Sequence, residues 1–364
     1  MTRALAQVDS ISLFRLAQLA HMAVNLDSLT DVLDTLRASP KTWLVTGAAG
    51  FIGSHLVETL LSAGQSVRGL DNYSTGSRAN VDAVRGTGTG TFEMMEGDIR
   101  DAETCATACD GVDVVLHQAA LGSVPRSVQN PLATHEHNVN GTLNMLIAAR
   151  DAGIERFVYA SSSSVYGDDP NLPKEEDIVG TPLSPYAVSK KTGELYARTF
   201  FDHYGLATIG LRYFNVFGPR QDPSGAYAAV IPKWVATFLA GETPVIHGDG
   251  ETSRDFCYVV NVVQANLRAG LAAVEAVGTV YNIAVGDKTS LNELYRHIGE
   301  SLVESGAMST VPDPEYTPFR AGDIRHSLAD TAKARAALGY TPTHAVGEGL
   351  REALAWYERS LQAS

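Results

Sequence analysis

The sequence predicts an α/β protein, a doubly wound parallel sheet with helices on both faces and a smaller α/β C-terminal subdomain. Three observations carry this expectation. From Lys41 onward, short apolar runs alternate with segments of helical period, the pattern of strands buried on both faces. A glycine-punctuated turn, Gly47-Ala48-Ala49-Gly50-Phe51-Ile52-Gly53, joins the first apolar run to the first helical segment. With 364 residues, no repeats and no low-complexity linker, the looser pattern after Phe214 reads as a second subdomain packed on the first.

In chain order, residues 1–40 form a helical extension. Ile11, Leu13, Leu16, Leu19, Val24, Leu26, Leu29, Val32, Leu33 and Leu36 recur at roughly helical spacing, and Pro40 ends the run. The segment lacks the uninterrupted apolar core and small-residue cleavage site of a secretory signal. Residues 41–214 are the first domain. Its predicted strands are Thr42–Thr46, Ser66–Leu70, Phe92–Glu96, Val112–Leu116 and Phe157–Ala160, and its helices include Ile52–Ala63 and about Leu132–Ala152. Ser184 is a good N-cap and Pro185 a good first-turn residue, so a helix runs from there to Tyr204. Residues 215–364 are mainly the second subdomain, some segments returning to the first. Ile231–Leu239 and Leu291–Glu304 read as helices, Pro244–Tyr258 as turn-linked strands, and Val311–Arg325 as a loop.

Composition excludes several classes. Hydrophobic residues at 45% and charged residues at 19% are ordinary for a globular protein. The formal charge of −13, with no basic cluster, argues against nucleic acid. Cys105, Cys109 and Cys257 make no disulfide framework, and no further ligand accompanies the first two, so they read as buried thiols of a cytoplasmic protein without a metal. No apolar run is long enough to span a membrane.

Two stretches carry chemistry. In the glycine turn, Gly47, Gly50 and Gly53 permit a tight bend and close approach of backbone to a pyrophosphate resting on the following helix N-terminus. The spacing departs from the commonest Gly-x-Gly-x-x-Gly fingerprint. Asp71, at the end of the next strand and about 20 residues on, suits the ribose hydroxyls of NAD and disfavours the extra phosphate of NADP. The second stretch runs from Ser161 to Lys190. Tyr186 and Lys190 share a helix face, and a cation beside a phenol favours the phenolate, which makes a base.

Together the glycine turn, Asp98-Ile99, His117-Gln118-Ala119-Ala120, the run Ser161 to Ser164, Tyr186 with Lys190, and Tyr213-Phe214-Asn215 resemble the extended short-chain dehydrogenase/reductases, which have a Rossmann-type domain. Within them the chain is similar to nucleotide-sugar 4-epimerases, and most to bacterial UDP-N-acetylglucosamine 4-epimerases. Leu121 to Ser127, Gly225 to Trp234 and Gly248 to Phe256 carry that closer likeness, which covers about residues 41–360.

The resemblance implies roles by position. NAD would contact Gly47, Gly50, Phe51, Ile52, Gly53, Asp71, Asn72, Asp98, Ile99, Gln118, Ala119, Ala120 and Phe214, with Lys190 on the nicotinamide ribose. Tyr186 would be the base, Lys190 would lower its pKa, and Ser162 would bond the reacting hydroxyl, with Ser163 and Ser164 behind it. Asn215, Arg254, Arg320 and Asp323 would hold the UDP portion, arginine suiting phosphate oxygens. Gly122, Ser123, Ala229, Val230, Trp234, Val245 and Ile246 complete the implied substrate contacts. Ser327 matches a position where a small residue leaves room for an N-acetyl group. Gly122 stands where galactose-type relatives have a lysine, which favours the N-acetyl branch. His137 stands where many relatives have asparagine or threonine near the cofactor, and it takes no role.

The implied reaction is redox-neutral: UDP-N-acetylglucosamine and UDP-N-acetylgalactosamine, and also UDP-glucose and UDP-galactose, interconvert through a transient 4-keto sugar with NAD kept bound. A role in surface polysaccharide synthesis follows from the same likeness. So does a homodimer through the helix near Leu132–Ala152 and the one bearing Tyr186. Three alternatives stay open. Dehydratases and decarboxylases of this fold carry an acid after the active-site Ser/Thr, where this chain has Ser163, Ser164 and Val165. A UDP-glucuronate 4-epimerase would need a cation for the carboxylate, for which Arg126 is a candidate. A non-catalytic NAD sensor is the alternative of another class.

Overall fold

The computed structural model describes residues 29–222, 229–319 and 324–362; the expected helix over residues 1–28 lies outside them. Helix α1 (residues 29–38) closes the extension. Its Val32 and Leu36 are buried in the main core, and the carbonyl of Leu36 accepts from Gln65 Nε2 at 2.9 Å.

Seven strands form the central sheet: β1 (Thr42–Thr46), β2 (Ser66–Asp71), β3 (Thr91–Glu96), β4 (Val114–His117), β5 (Arg156–Ser162), β6 (Thr208–Tyr213) and β7 (Thr279–Ile283). Their spatial order is β7-β6-β5-β4-β1-β2-β3, and every neighbouring pair is parallel. The order reverses between β1 and β4, so the carboxyl ends of those two strands flank a crevice. Helices α2 (Phe51–Ser62) and α10 (Val259–Gly270) pack on one face. Helices α4 (Ala102–Cys109), α7 (Gly141–Asp151) and α8 (Pro185–Tyr204) pack on the other. Cys105 and Cys109 lie at the end of α4, and burial pushes both thiols up to about 12, so they act as small core residues.

Residues outside the sheet build a second core, in which α9 (Val230–Leu239), α11 (Leu291–Glu304) and α13 (Val346–Gln362) pack together through Trp234, Phe238, Tyr295, Leu350 and Tyr357. The remaining helices are α3 (Arg78–Val84), α5 (Val124–Gln129), α6 (Pro131–His135) and α12 (Ala332–Leu338).

Local chemistry explains most boundaries. Ser184 Oγ accepts from Ala187 N at the start of α8, Pro185 occupies the first turn, and Gly205 ends the helix in the left-handed conformation. A capping box of Ser290 and Glu293 starts α11. Three sequence expectations are corrected. The helix expected over Leu132–Ala152 is α6 and α7 joined by a π-turn, Glu136–Asn140. The fourth strand starts at Val114 rather than Val112. The loop expected over Val311–Arg325 contains a short strand, Glu315–Thr317, paired in parallel with Val245–His247.

Candidate active site

The glycine turn leaves β1 with Gly47 at φ +70°, and an added Cβ there would lie 2.9 Å from Ala119 N. At Gly53 an added Cβ would lie 2.0 Å from the carbonyl oxygen of Gly47, so the turn and the first coil of α2 close on each other only with glycine there. Gly50 is the N-cap of α2 and offers no side chain, which leaves the first backbone N–H groups, including those of Phe51 and Ile52, pointing out of the helix end. This is a cradle for a phosphate group.

Beyond the turn, Asp71 ends β2. Its carboxylate accepts from Ala49 N at 3.0 Å and Tyr73 N at 2.7 Å, and burial pushes its pKa up. Asn72 Nδ2 donates to Asp98 at 2.8 Å, and Arg100 holds that carboxylate well below the usual range. Ile99 is buried beneath them. Gln118, Ala119 and Ala120 follow β4. Gln118 donates to Asn266 and accepts from Tyr213 Oη, and Ala119 N donates to Thr46 Oγ1.

A cavity of about 1170 Å³ runs from this cradle to the end of β5. Its walls include the glycine turn, Asp71, Asn72, Ile99, Gln118 to Gly122, Ser162, Ser163, Tyr186, Lys190 and Asn215. Ser162 is the last residue of β5, and its Oγ accepts from Ser164 N at 3.2 Å and Ser164 Oγ at 3.0 Å. Tyr186 sits in the first turn of α8, with Lys190 one turn on. Lys190 Nζ donates to the carbonyl of Ala160 at 2.8 Å and lies 6.0 Å from the Tyr186 ring centroid. Burial lowers Lys190 to about 8. Burial also pushes Tyr186 up, opposed by a hydrogen bond from Ser162. The expected depression of the phenol by Lys190 is therefore corrected for the protein alone: burial outweighs a cation whose protons point at a carbonyl.

At the substrate end, an added Cβ at Gly122 would meet nothing within 4 Å. Ser123 is occupied as the N-cap of α5, accepting from Arg126 N. Asn215 has φ 33°, and its Nδ2 donates to the carbonyl of Asp255 at 3.1 Å. Ala229 and Val230 begin α9. Two side chains that the sequence placed on substrate pack in the core of the second subdomain: Trp234 and Ile246 are 5% and 0% exposed. Val245 starts the strand paired with Glu315–Thr317. Arg254 donates to the carbonyl of Ser253, and Ser327 N bonds the same carbonyl at 3.0 Å. Phe214 is fully buried, its N–H bonded to Ile283. Arg320 and Asp323 lie outside the described residues.

The cavity wall also includes residues without a role in the sequence reading. His137, on the π-turn, donates from Nδ1 to the carbonyl of Ala133 at 2.8 Å. Arg220, at φ 66°, forms an ion pair with Glu58 of α2. Trp356 comes from α13. No spacing rule marks such residues, because each reaches the cavity only through tertiary packing. Among the described residues no cluster of His, Cys, Asp or Glu could hold a metal, and no helix is long and apolar enough to cross a membrane.

Fold and site together define a dinucleotide-dependent enzyme of the parallel α/β class, with a Ser-Tyr-Lys centre at the end of β5, beside the crevice between β1 and β4. The family model for the NAD dependent epimerase/dehydratase family matches residues 43–284, and the chain belongs to that family. A UDP-glucose 4-epimerase of Mycolicibacterium smegmatis is 40% identical over 321 residues, covering 88% of this chain and 99% of the relative. A UDP-glucuronate 4-epimerase of Thermodesulfobacterium geofontis is 33% identical, covering 88% and 97%. Among solved structures, a UDP-N-acetylglucosamine 4-epimerase from Methanobrevibacter ruminantium in complex with UDP-N-acetylmuramic acid superposes with a TM-score of 0.81 at 38% identity, covering 88% and 99%. The cofactor is NAD, and the closely folded glycine cradle with an acid at the end of β2 fits it.

Proposed function

We propose that the chain is a UDP-sugar 4-epimerase that interconverts UDP-N-acetylglucosamine and UDP-N-acetylgalactosamine. The observation that carries this reading is the meeting of Ser162, Tyr186 and Lys190 on one cavity wall with no acid at positions 163–165. Ser162 Oγ and the Tyr186 phenol both face the place where a sugar hydroxyl would sit. The phenol removes the 4-hydroxyl proton and returns it, and Ser162 holds the oxygen between the two transfers. NAD, held by the glycine turn and Asp71, would supply a two-way hydride carrier for C4. Lys190, anchored on Ala160, contributes a positive charge close to the phenol and a donor for the ribose. Positions 163–165 lack the acid that the sequence reading associates with loss of water or of carboxylate on this fold. The open space at Gly122 and the small Ser327 support an N-acetylated substrate.

The homodimer belongs to the same reading. Val128 and Leu132 on α5 and α6 are exposed, as are Val188 and Leu195 on α8, and these helices pack side by side. A second copy covering this face would bring the Leu132–Ala152 segment and α8 of each chain into a four-helix interface, with α5 at its edge. Leu195→Glu should convert a dimer to a monomer in light scattering.

The experiment for substrate choice is direct. UDP-N-acetylglucosamine, UDP-glucose and UDP-glucuronate are supplied separately and products are separated by chromatography. The N-acetyl pair should interconvert fastest. Faster conversion of UDP-glucose would move the assignment to the plain hexose, the activity named for the M. smegmatis relative. Faster conversion of UDP-glucuronate would move it to the uronate.

A further inference from the structure

The reacting groups come from separate elements, Ser162 from β5 and Tyr186 from α8, so their separation depends on how α8 docks against the sheet. Tyr186, Lys190 and Glu194 recur every fourth residue and share one face of α8. Each meets the end of β5. Tyr186 meets Ser162, Lys190 bonds the carbonyl of Ala160 at 2.8 Å, and Glu194 Oε1 accepts from Ser161 Oγ at 2.7 Å. Ser161 points to the opposite side of the strand from Ser162. Glu194 is 5% exposed, and a lone carboxylate at that depth would be costly. It is not alone. Arg212 of β6, 2% exposed, donates Nε to Oε1 at 2.7 Å and Nη2 to Oε2 at 2.9 Å, a two-pronged pair.

Arg212 lies opposite Ser161 in the β5–β6 register and opposite Asn282 in the β6–β7 register. Its Nη1 donates to Tyr166 Oη at 3.1 Å and to the carbonyl of Glu176 at 2.8 Å. Tyr166 Oη in turn donates to Asn282 at 2.6 Å. One buried ion pair thus joins α8 to the ends of three strands and to the segment that follows Ser162. A network so fully bonded fixes one arrangement, where an apolar contact would tolerate sliding.

We propose that Glu194, Arg212 and Ser161 are positioning residues for the reaction: they set the distance between Ser162 and the Tyr186 phenol. Ser161 borders the cavity but its hydroxyl is committed to Glu194, and Glu194 and Arg212 lie behind the wall, so their loss acts on the chemical step. Displacements on the order of 1 Å in such centres cost about a hundredfold in rate. The inference rests on the epimerase reading of the site.

The test uses the full-length protein with its bound NAD. Ser161→Ala removes one oxygen and leaves the Glu194–Arg212 pair intact. It should lower kcat about tenfold and Tm by a few degrees, since a buried hydrogen bond to a carboxylate is lost, with KM for UDP-N-acetylglucosamine and NAD bound per chain unchanged. Glu194→Leu combined with Arg212→Met removes the buried pair at once and leaves Lys191, whose Nζ lies 3.2 Å from Glu194 Oε2, to the solvent that it already reaches. Relative to either single change it should restore Tm while kcat stays low. If kcat recovers along with Tm in the double variant, and Ser161→Ala matches wild type in kcat, the trio holds the fold only and the proposal is overturned. A wild-type protein that interconverts no UDP-sugar would instead sink the functional reading on which the proposal stands.

Discussion

At the scale of single residues, the account turns on Tyr186. Its phenol, on the cavity wall, is raised by desolvation and lowered by the hydrogen bond with Ser162 in the protein alone, and a cation close to it favours the phenolate. Tyr186→Phe should lower kcat by roughly 10²–10⁴ with KM for the UDP-sugar changed only a few-fold, since the ring remains. Steady-state kinetics in both directions check this, and undiminished turnover would remove Tyr186 as the base. Ser327 carries the size argument. Ser327→Tyr should impair turnover of the N-acetylated pair more than of UDP-glucose, and equal losses on both would remove that argument. The individual residues were legible to different degrees. Tyr186, Lys190 and Ser162 stand in a sequence pattern with a mechanism attached. His137 and Arg220 reach the same cavity through a π-turn and a left-handed backbone, which no spacing announces.

At the scale of elements, the turn between β1 and α2 is the part most dependent on its sequence. A Cβ at Gly53 would overlap the backbone of Gly47, an atom that cannot move aside as a side chain tip would. Gly53→Ala should therefore cut the NAD retained by the purified protein at least tenfold and lower Tm; retained NAD measured after denaturation decides it. Helix α8 was readable to its ends, because Ser184, Pro185 and Tyr204-Gly205 are local signals. Strands β6 and β7 were not, and the reason is chemical. Thr208–Tyr213 places Arg212, and Thr279–Ile283 places Asn282, fully inside the protein, where hydrophobic patterning expects apolar residues. Partners distant in sequence satisfy both groups, so their burial cannot be read locally. The π-turn escaped for the related reason that one inserted residue leaves the helical period of its flanks intact.

At the scale of the whole molecule, acid should destabilise the protein through histidines held neutral. His117 is buried between Thr46 and Thr142 under the crevice, and burial lowers it to about 3. His55 falls to about 4, chiefly by burial and then by the charge of Arg220. Unfolded, both would titrate near 6.5. Between about pH 6.5 and pH 4 these two sites thus bind more protons in the unfolded chain than in the folded one, and their contribution to stability falls as pH falls, while Asp255, raised to about 7 by burial, contributes in the opposite sense. Each histidine contributes a slope of up to about 1.4 kcal/mol per pH unit. Denaturant melts of wild type and His117→Gln at pH 7 and pH 5 isolate the His117 share: relative to wild type the variant should gain stability at pH 5 over pH 7, and an unchanged difference would mean that His117 is charged in the fold.

The same scale holds the proposal that unites sheet, crevice and site: C4 of the sugar is oxidised and reduced in one cavity, with the hydride retained there. The most direct measurement supplies UDP-N-acetylglucosamine carrying deuterium at C4, in ordinary water, with no NAD added. The account predicts UDP-N-acetylgalactosamine that keeps the deuterium at C4. Loss of the label to solvent, or no turnover until NAD is added, would contradict it.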